Sequence, residues 1–169
     1  MVVSSATARP PSGAAFDARV VRPLMLVAPF VVFVVHTLEE MPGFASWVSA
    51  HFAPLTTEKF AVSHIPLILL VLLCSWRALR PDARTGWVIM AVAFQWQFAV
   101  NAVFHLGSAA WFGDYSPGMV TAATVALPVT LAVFTWVRRE RILTGPQVIT
   151  ALAIGTAVAA AAIGVLFLG

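Results

Sequence analysis

The sequence predicts an all-α fold: a polytopic transmembrane helix bundle of about five spanning helices plus one short interfacial helix. Three observations carry this expectation. The 169 residues are 60% hydrophobic and 10% charged, with a mean hydropathy of +0.92, where a soluble domain is about a quarter charged. Apolar runs recur at lengths close to the roughly 20 residues that a bilayer requires. Nine of the ten basic residues fall before the first run or in alternate connections between runs, as the positive-inside rule demands of loops on one membrane face.

Taken in order, residues 1–21 are rich in Ala, Ser, Val, Arg and Pro, carry Pro10-Pro11 and lack apolar periodicity. They read as a disordered tail, and residues 22–169 as a single helical domain. The first span runs from about Pro23 to Glu40, where Pro42-Gly43 breaks it. Phe44, Trp47, Val48, His51 and Phe52 then follow i, i+3, i+4, i+7, i+8 spacing, which predicts a short amphipathic helix acting as a lid. The second span covers about Thr57–Trp76, the third Thr85–Trp111, the fourth Pro117–Val137 and the fifth Pro146–Leu168. The fifth is rich in Ala and Gly, with Gly155, Ala159 and Gly164 offering small-residue packing surfaces. Trp47, Trp76, Trp87, Trp111 and Trp136 fall near span ends, as an aromatic belt would.

The arginine-rich connections place the N-terminus in the cytoplasm and the C-terminus outside, in the plasma membrane. The partner is therefore the lipid bilayer rather than nucleic acid. The single cysteine, Cys74, excludes an internal disulfide and a Cys-based zinc site.

Against this background the polar residues stand out. His36, Glu39 and Glu40 close the first apolar run. On a helix, positions i, i+3 and i+4 share a face, so both carboxylates are expected to point with the imidazole. Ionisable groups at membrane depth are costly, and their default reading is functional. In the antiparallel topology Ser63 and His64 reach the same depth from the second span. The third brings Gln97, Asn101, His105 and Ser108, spaced 4, 4 and 3 apart on one stripe. The fourth opens with Tyr115-Ser116-Pro117-Gly118, followed by Thr121 and Thr124. Four helices thus deliver polar groups to one outer-half site.

Three of these motifs resemble the HXXEE-domain family of small bacterial integral membrane proteins. They are His36-Thr-Leu-Glu39-Glu40, Asn101-Ala-Val-Phe-His105 and Tyr115-Ser-Pro117-Gly118-Met-Val-Thr121, and the resemblance spans about residues 24–137. It supports the choice of residues and implies no particular reaction.

The chemistry these residues suit best is a metal site. Imidazole and carboxylate ligands fit zinc, iron or manganese. His36 and Glu40 offer two ligands from one helix, His105 a third and His64 a fourth. Glu39 would be the general base on a bound water, with Asn101 and Tyr115 orienting ligands or stabilising an oxyanion. A lipid-like or apolar substrate would approach among Phe44, Trp47, Phe98, Phe104 and Trp111. Three readings compete: metal-free acid/base isomerisation or cyclisation, proton or ion transport or sensing along Glu39, Glu40, His105 and Gln97, and hydrogen bonds that merely hold helices together. His51 reads as an interfacial residue and Asp114 as solvated.

Overall fold

A computed structural model describes residues 13–168, with side chains described from Val20 to Leu168. Six helices follow one another: α1 (Gly13–Glu40), α2 (Phe44–His51), α3 (Thr57–Leu79), α4 (Thr85–Phe112), α5 (Met119–Arg139) and α6 (Gly145–Val165). No strand occurs among the described residues. All but α2 contain a stretch long and apolar enough to cross a membrane. Of the expected tail, residues 1–12 lie outside the described ones. From Gly13 the chain is helical, so α1 starts earlier than Pro23. Ala14 and Ala15 are strong helix formers, which the missing apolar periodicity concealed.

α4 is the hub. More than half of its most apolar stretch is buried, 56% against 17–33% for the others, and α1, α3, α5 and α6 all pack on it. Along α6, Ala151, Gly155 and Ala159 are buried at i, i+4, i+8 spacing. A Cβ on Gly155 would collide with the Ala93 carbonyl oxygen of α4, so the small residues allow two backbones to touch. Trp96 Nε1 donates to Thr156 Oγ1 at 2.9 Å beside this seam. At Gly164, also expected to offer a small-residue packing surface, an added Cβ would meet nothing within 4 Å.

Inside α5, Ala122–Ala126 form a π-turn. Pro128 has no N–H to give the Thr124 carbonyl, and its ring crowds that position. A wider turn immediately before it absorbs the misfit. The bulge follows directly on Thr121, a site residue.

α2 packs as expected of a lid. Phe44, Ala45, Trp47 and Val48 bury against Phe60 of α3, with Phe104, Phe112 and Leu166 alongside. The tryptophans divide. Trp76 and Trp111 are exposed, at 48% and 85%, but Trp47 and Trp136 are buried. Those two belong to the packing rather than to a belt: Trp47 Nε1 donates to Asp114 Oδ1 at 2.9 Å, and Trp136 joins the core beneath the arginine-bearing end. At that end the Arg77 guanidinium lies between the Trp76 and Trp87 rings, 5.3 and 5.4 Å from their centroids. Elsewhere the outer faces carry exposed Leu24, Val31, Leu69, Leu131 and Ile149.

Candidate functional site

The site is assembled from helix ends. The last turn of α1 contributes His36 and Glu40, and the C-terminal half of α4 contributes Asn101 and His105. The α4–α5 connection contributes Ser116 and Gly118, and the first turn of α5 contributes Thr121. Each pair on a helix is separated by four residues, so both members face the same way.

At the centre is the Glu40 carboxylate. His105 Nε2 stands 3.3 Å and His36 Nε2 3.5 Å from Glu40 Oε1, and His64 Nε2 is 3.9 Å from Glu40 Oε2. These separations exceed those of good N–H···O bonds, although His36, Glu40 and His105 are only 3%, 4% and 0% exposed. A buried carboxylate normally takes close partners, and this one is surrounded by imidazoles standing off. One ligand atom from each of the three buried residues lies within 4.8 Å of the others.

The far side of each imidazole is held. His36 Nδ1 is 2.8 Å from Thr121 Oγ1, whose hydroxyl donates to the Gly118 carbonyl at 3.2 Å. The threonine oxygen therefore accepts from His36 Nδ1–H, and the hydrogen-bond network assigns the lone pair to Nε2, facing Glu40. Asn101 Nδ2 donates to that Nε2 at 2.8 Å. His105 Nδ1 is taken by the fully buried Ser116 Oγ at 3.0 Å. His105 Nε2 is left buried with no hydrogen-bond partner.

Gly118 closes this arrangement. Its φ is +101°, a conformation that side chains disfavour, and a Cβ there would lie 2.8 Å from His105 Cε1 and 2.9 Å from His36 Cε1. The two rings meet edge to face at 4.9 Å between centroids, and the glycine backbone lies against both.

Glu39 departs from expectation. Its carboxylate and the His36 ring both reach Thr121, but Glu39 meets the backbone amide and His36 the hydroxyl. Oε1 accepts from Tyr115 OH at 2.5 Å and from Val120 N–H at 3.1 Å, and Oε2 accepts from Thr121 N–H at 2.7 Å. It caps the exposed amides at the start of α5, where a negative charge is favourable. With both oxygens engaged, the general-base role is withdrawn. Tyr115 is correspondingly a donor to Glu39 and is 52% exposed. Donation to the carboxylate pushes its phenol up to about 12. Neither residue reaches the cluster.

Beside the cluster opens a cavity of about 320 Å³, within the range of small-molecule pockets, about 300–1,000 Å³. His36, Glu40, His64, Asn101 and Gln97 line its inner side; Phe33, Phe44, Leu67, Phe98, Phe104 and Ile163 supply most of the rest. Of the aromatic residues expected around a substrate, Phe44, Phe98 and Phe104 line it, and Trp47 and Trp111 do not. His64, whose Nδ1 bonds the Phe60 carbonyl at 2.8 Å, sits at the wall rather than in the buried trio.

Three residues to which the sequence assigned no chemical role matter. Ser116 orients His105, Gly118 packs on both rings, and Thr121 orients His36. Gly118 and Thr121 stood in a recognisable motif, whereas Ser116 lay between motif positions as an ordinary turn residue. Asp114 is more than a solvated loop residue: besides Trp47 it pairs with His51 Nε2 at 2.8 Å. The Trp47 bond, then His51, holds its carboxyl below the usual range.

The fold and the site define a class: an all-helical protein with five membrane-length apolar helices and a buried His–Glu–His cluster near one end of the bundle. The chain belongs to the family described as proteins of unknown function with an HXXEE motif, whose model matches residues 27–133, well over half of the 169. No curated protein and no solved structure matches it.

Proposed function

We propose that this chain is a plasma-membrane protein, N-terminus inside, that binds one zinc, iron or manganese ion between His36, Glu40 and His105 and uses it in an enzymatic reaction on an apolar or lipid-like substrate. The observation that carries the reading is the spacing of three buried ligand atoms. Two ligands about 2.0–2.1 Å from a tetrahedral ion lie about 3.3–3.4 Å apart. The separations from Glu40 Oε1 are 3.3 and 3.5 Å. Glu40 therefore stands at such an edge length from each imidazole, the three ligand atoms lie within 4.8 Å of one another, and His105 Nε2 has no other hydrogen-bond partner.

The outer partners support the same reading. Metal-bound imidazoles characteristically hold their other nitrogen in a hydrogen bond that fixes tautomer and ring orientation; Thr121 and Ser116 do this for His36 and His105. Asn101 holds the His36 lone pair; with His36 as a ligand, that amide would be released and available to a bound water or substrate. Three protein ligands, His36, Glu40 and His105, would leave a zinc ion a fourth position, the pattern of catalytic rather than purely structural sites. In this arrangement the ion would act as a Lewis acid or lower the pKa of a bound water. His64, at the cavity wall 3.9 Å from Glu40 Oε2, is placed to exchange protons with that position.

The runner-up is proton transfer without metal. It is favoured by one observation, a buried carboxylate between imidazoles, which is also an acid/base pair. Elemental analysis of the purified protein separates the two. About one ion per chain, lost in His36→Ala and His105→Ala, is the expected result. A folded protein that carries no ion and takes none from supplied zinc, iron or manganese contradicts the metal site.

A further inference from the structure

The cavity beside the cluster has an ordered wall. On α3 its lining residues are Lys59, Phe60, Ser63, His64 and Leu67, one helical face about 12 Å long at 1.5 Å per residue. Along that face the chemistry changes from a cation, through a hydroxyl and an imidazole, to an aliphatic side chain. α6 forms another wall with Ala162, Ile163 and Val165, followed by Leu166, while Phe33 of α1 and Phe98 of α4 line the cavity and pack with Leu67 at its aliphatic part.

Lys59 is the chain's single lysine and stands apart from the arginine-bearing connections. It is exposed, and no described carboxylate lies within 4.0 Å of its ammonium. A cation at one end of a largely apolar cavity complements an anion with a hydrocarbon tail.

We propose that the cavity takes a single-chain amphiphile with a carboxylate headgroup, the head on Lys59 and the chain running past the cluster toward Leu67, Phe33 and Phe98. This rests on the membrane-embedded reading above and deepens its substrate class. The head is held at a distance from Glu40, so an internal carbon of the chain, rather than the headgroup, faces His36 and His64. Access is lateral, between α3 and α6, which present exposed apolar residues beside the cavity, Val62 and Ile65 on α3 and Val165 on α6.

The test uses the full chain in nanodiscs of neutral phosphatidylcholine. The probe is a sixteen-carbon fatty acid with a diazirine in its chain, set against the alcohol of equal length. The acid is expected to label cavity-lining peptides of α3, α4 and α6. Lys59→Gln is expected to cut that labelling about tenfold, the worth of one charge-assisted contact. Lys59→Arg keeps it, and labelling by the alcohol is unchanged in both. Equal labelling by acid and alcohol, insensitivity to Lys59→Gln, or labels confined to other surfaces would overturn the proposal.

His36→Ala separates this from the metal reading. Acid labelling is expected to survive in that variant while metal is lost. Labelling lost in His36→Ala yet kept in Lys59→Gln would instead put the head on the ion and overturn the arrangement. Lys59-dependent labelling of a protein that never holds metal would overturn the metal centre and leave this proposal standing.

Discussion

Glu39 and Glu40 are neighbours in the chain and opposites in environment. Around Glu39, three donors close to 2.5–3.1 Å and use both oxygens. Around Glu40, three imidazole nitrogens stop at 3.3–3.9 Å. Tight contacts that engage both oxygens are those of a structural cap. Loose, converging contacts among buried groups are those expected of the proposed metal site. One turn of α1 therefore carries two kinds of carboxylate: Glu39 ties α1 to the start of α5, and Glu40, on the proposed reading, would serve as a ligand. The difference teaches that motif membership does not assign a role; the completeness of each group's hydrogen bonding does.

The comparison can be broken hardest at Gly118, which lies between the two regions. Gly118→Ala places a Cβ against both imidazoles at a φ that costs about 1–3 kcal/mol for other residues, with overpacking adding about 1–3 kcal/mol. Thermal unfolding is expected to show a loss of about 3 kcal/mol or more, together with loss of metal. A variant as stable as the parent would remove the close packing from the account.

The paired substitutions Glu40→Gln and Glu39→Gln sharpen the contrast directly. Glu40→Gln is expected to abolish metal binding with little loss of stability, since it removes a buried charge with no close partner. Glu39→Gln is expected to keep the metal and lose about 1–2 kcal/mol, the worth of a charge-assisted cap. The reverse pattern would exchange the two roles. Next in size, Ser116→Ala and Thr121→Ala remove the outer partners of the imidazoles and should weaken metal affinity about 10–100-fold, read by competition with a chelator. Unchanged affinity would mean that the hydroxyls orient nothing.

The smallest effect concerns Tyr115, the chain's single tyrosine, so an ultraviolet titration reads it alone. Its phenol, raised to about 12 by donation to Glu39, contributes stability that is complete below the ordinary value near 10. That contribution is lost as pH rises through the folded value. Glu39→Gln should bring the midpoint down toward 10. A midpoint already at 10 in the parent would sever the Tyr115–Glu39 bond.

Much of this was legible in the chain. Apolar runs and the placement of arginines foretold five long helices and a short sixth, because helix length and burial are written in composition. Four-residue spacings foretold that His36 would meet Glu40 and that Asn101 would sit beside His105. The direction of Glu39 was not legible. Three residues from His36 is close enough to reach the same residue, Thr121, and only the amides and Tyr115 hydroxyl around the start of α5 engage the carboxylate there rather than at the cluster. Ser116 was hidden because one turn serine looks like another until a buried imidazole lies beside it. Trp47 and Trp136 looked like belt residues because position along a span says nothing about which way the side chain faces. The contribution of α6 to the cavity was invisible for the same reason, and Gly155, whose role is set by the Ala93 carbonyl of another helix, could be read only as a small residue.

The most direct test of the central claim is the metal content of three purified proteins side by side: the parent, Glu39→Gln and Glu40→Gln. About one zinc, iron or manganese ion per chain in the first two and none in the third is the outcome expected of a capping Glu39 and a ligating Glu40. No ion in the parent after loading, or an ion retained in Glu40→Gln, would contradict it.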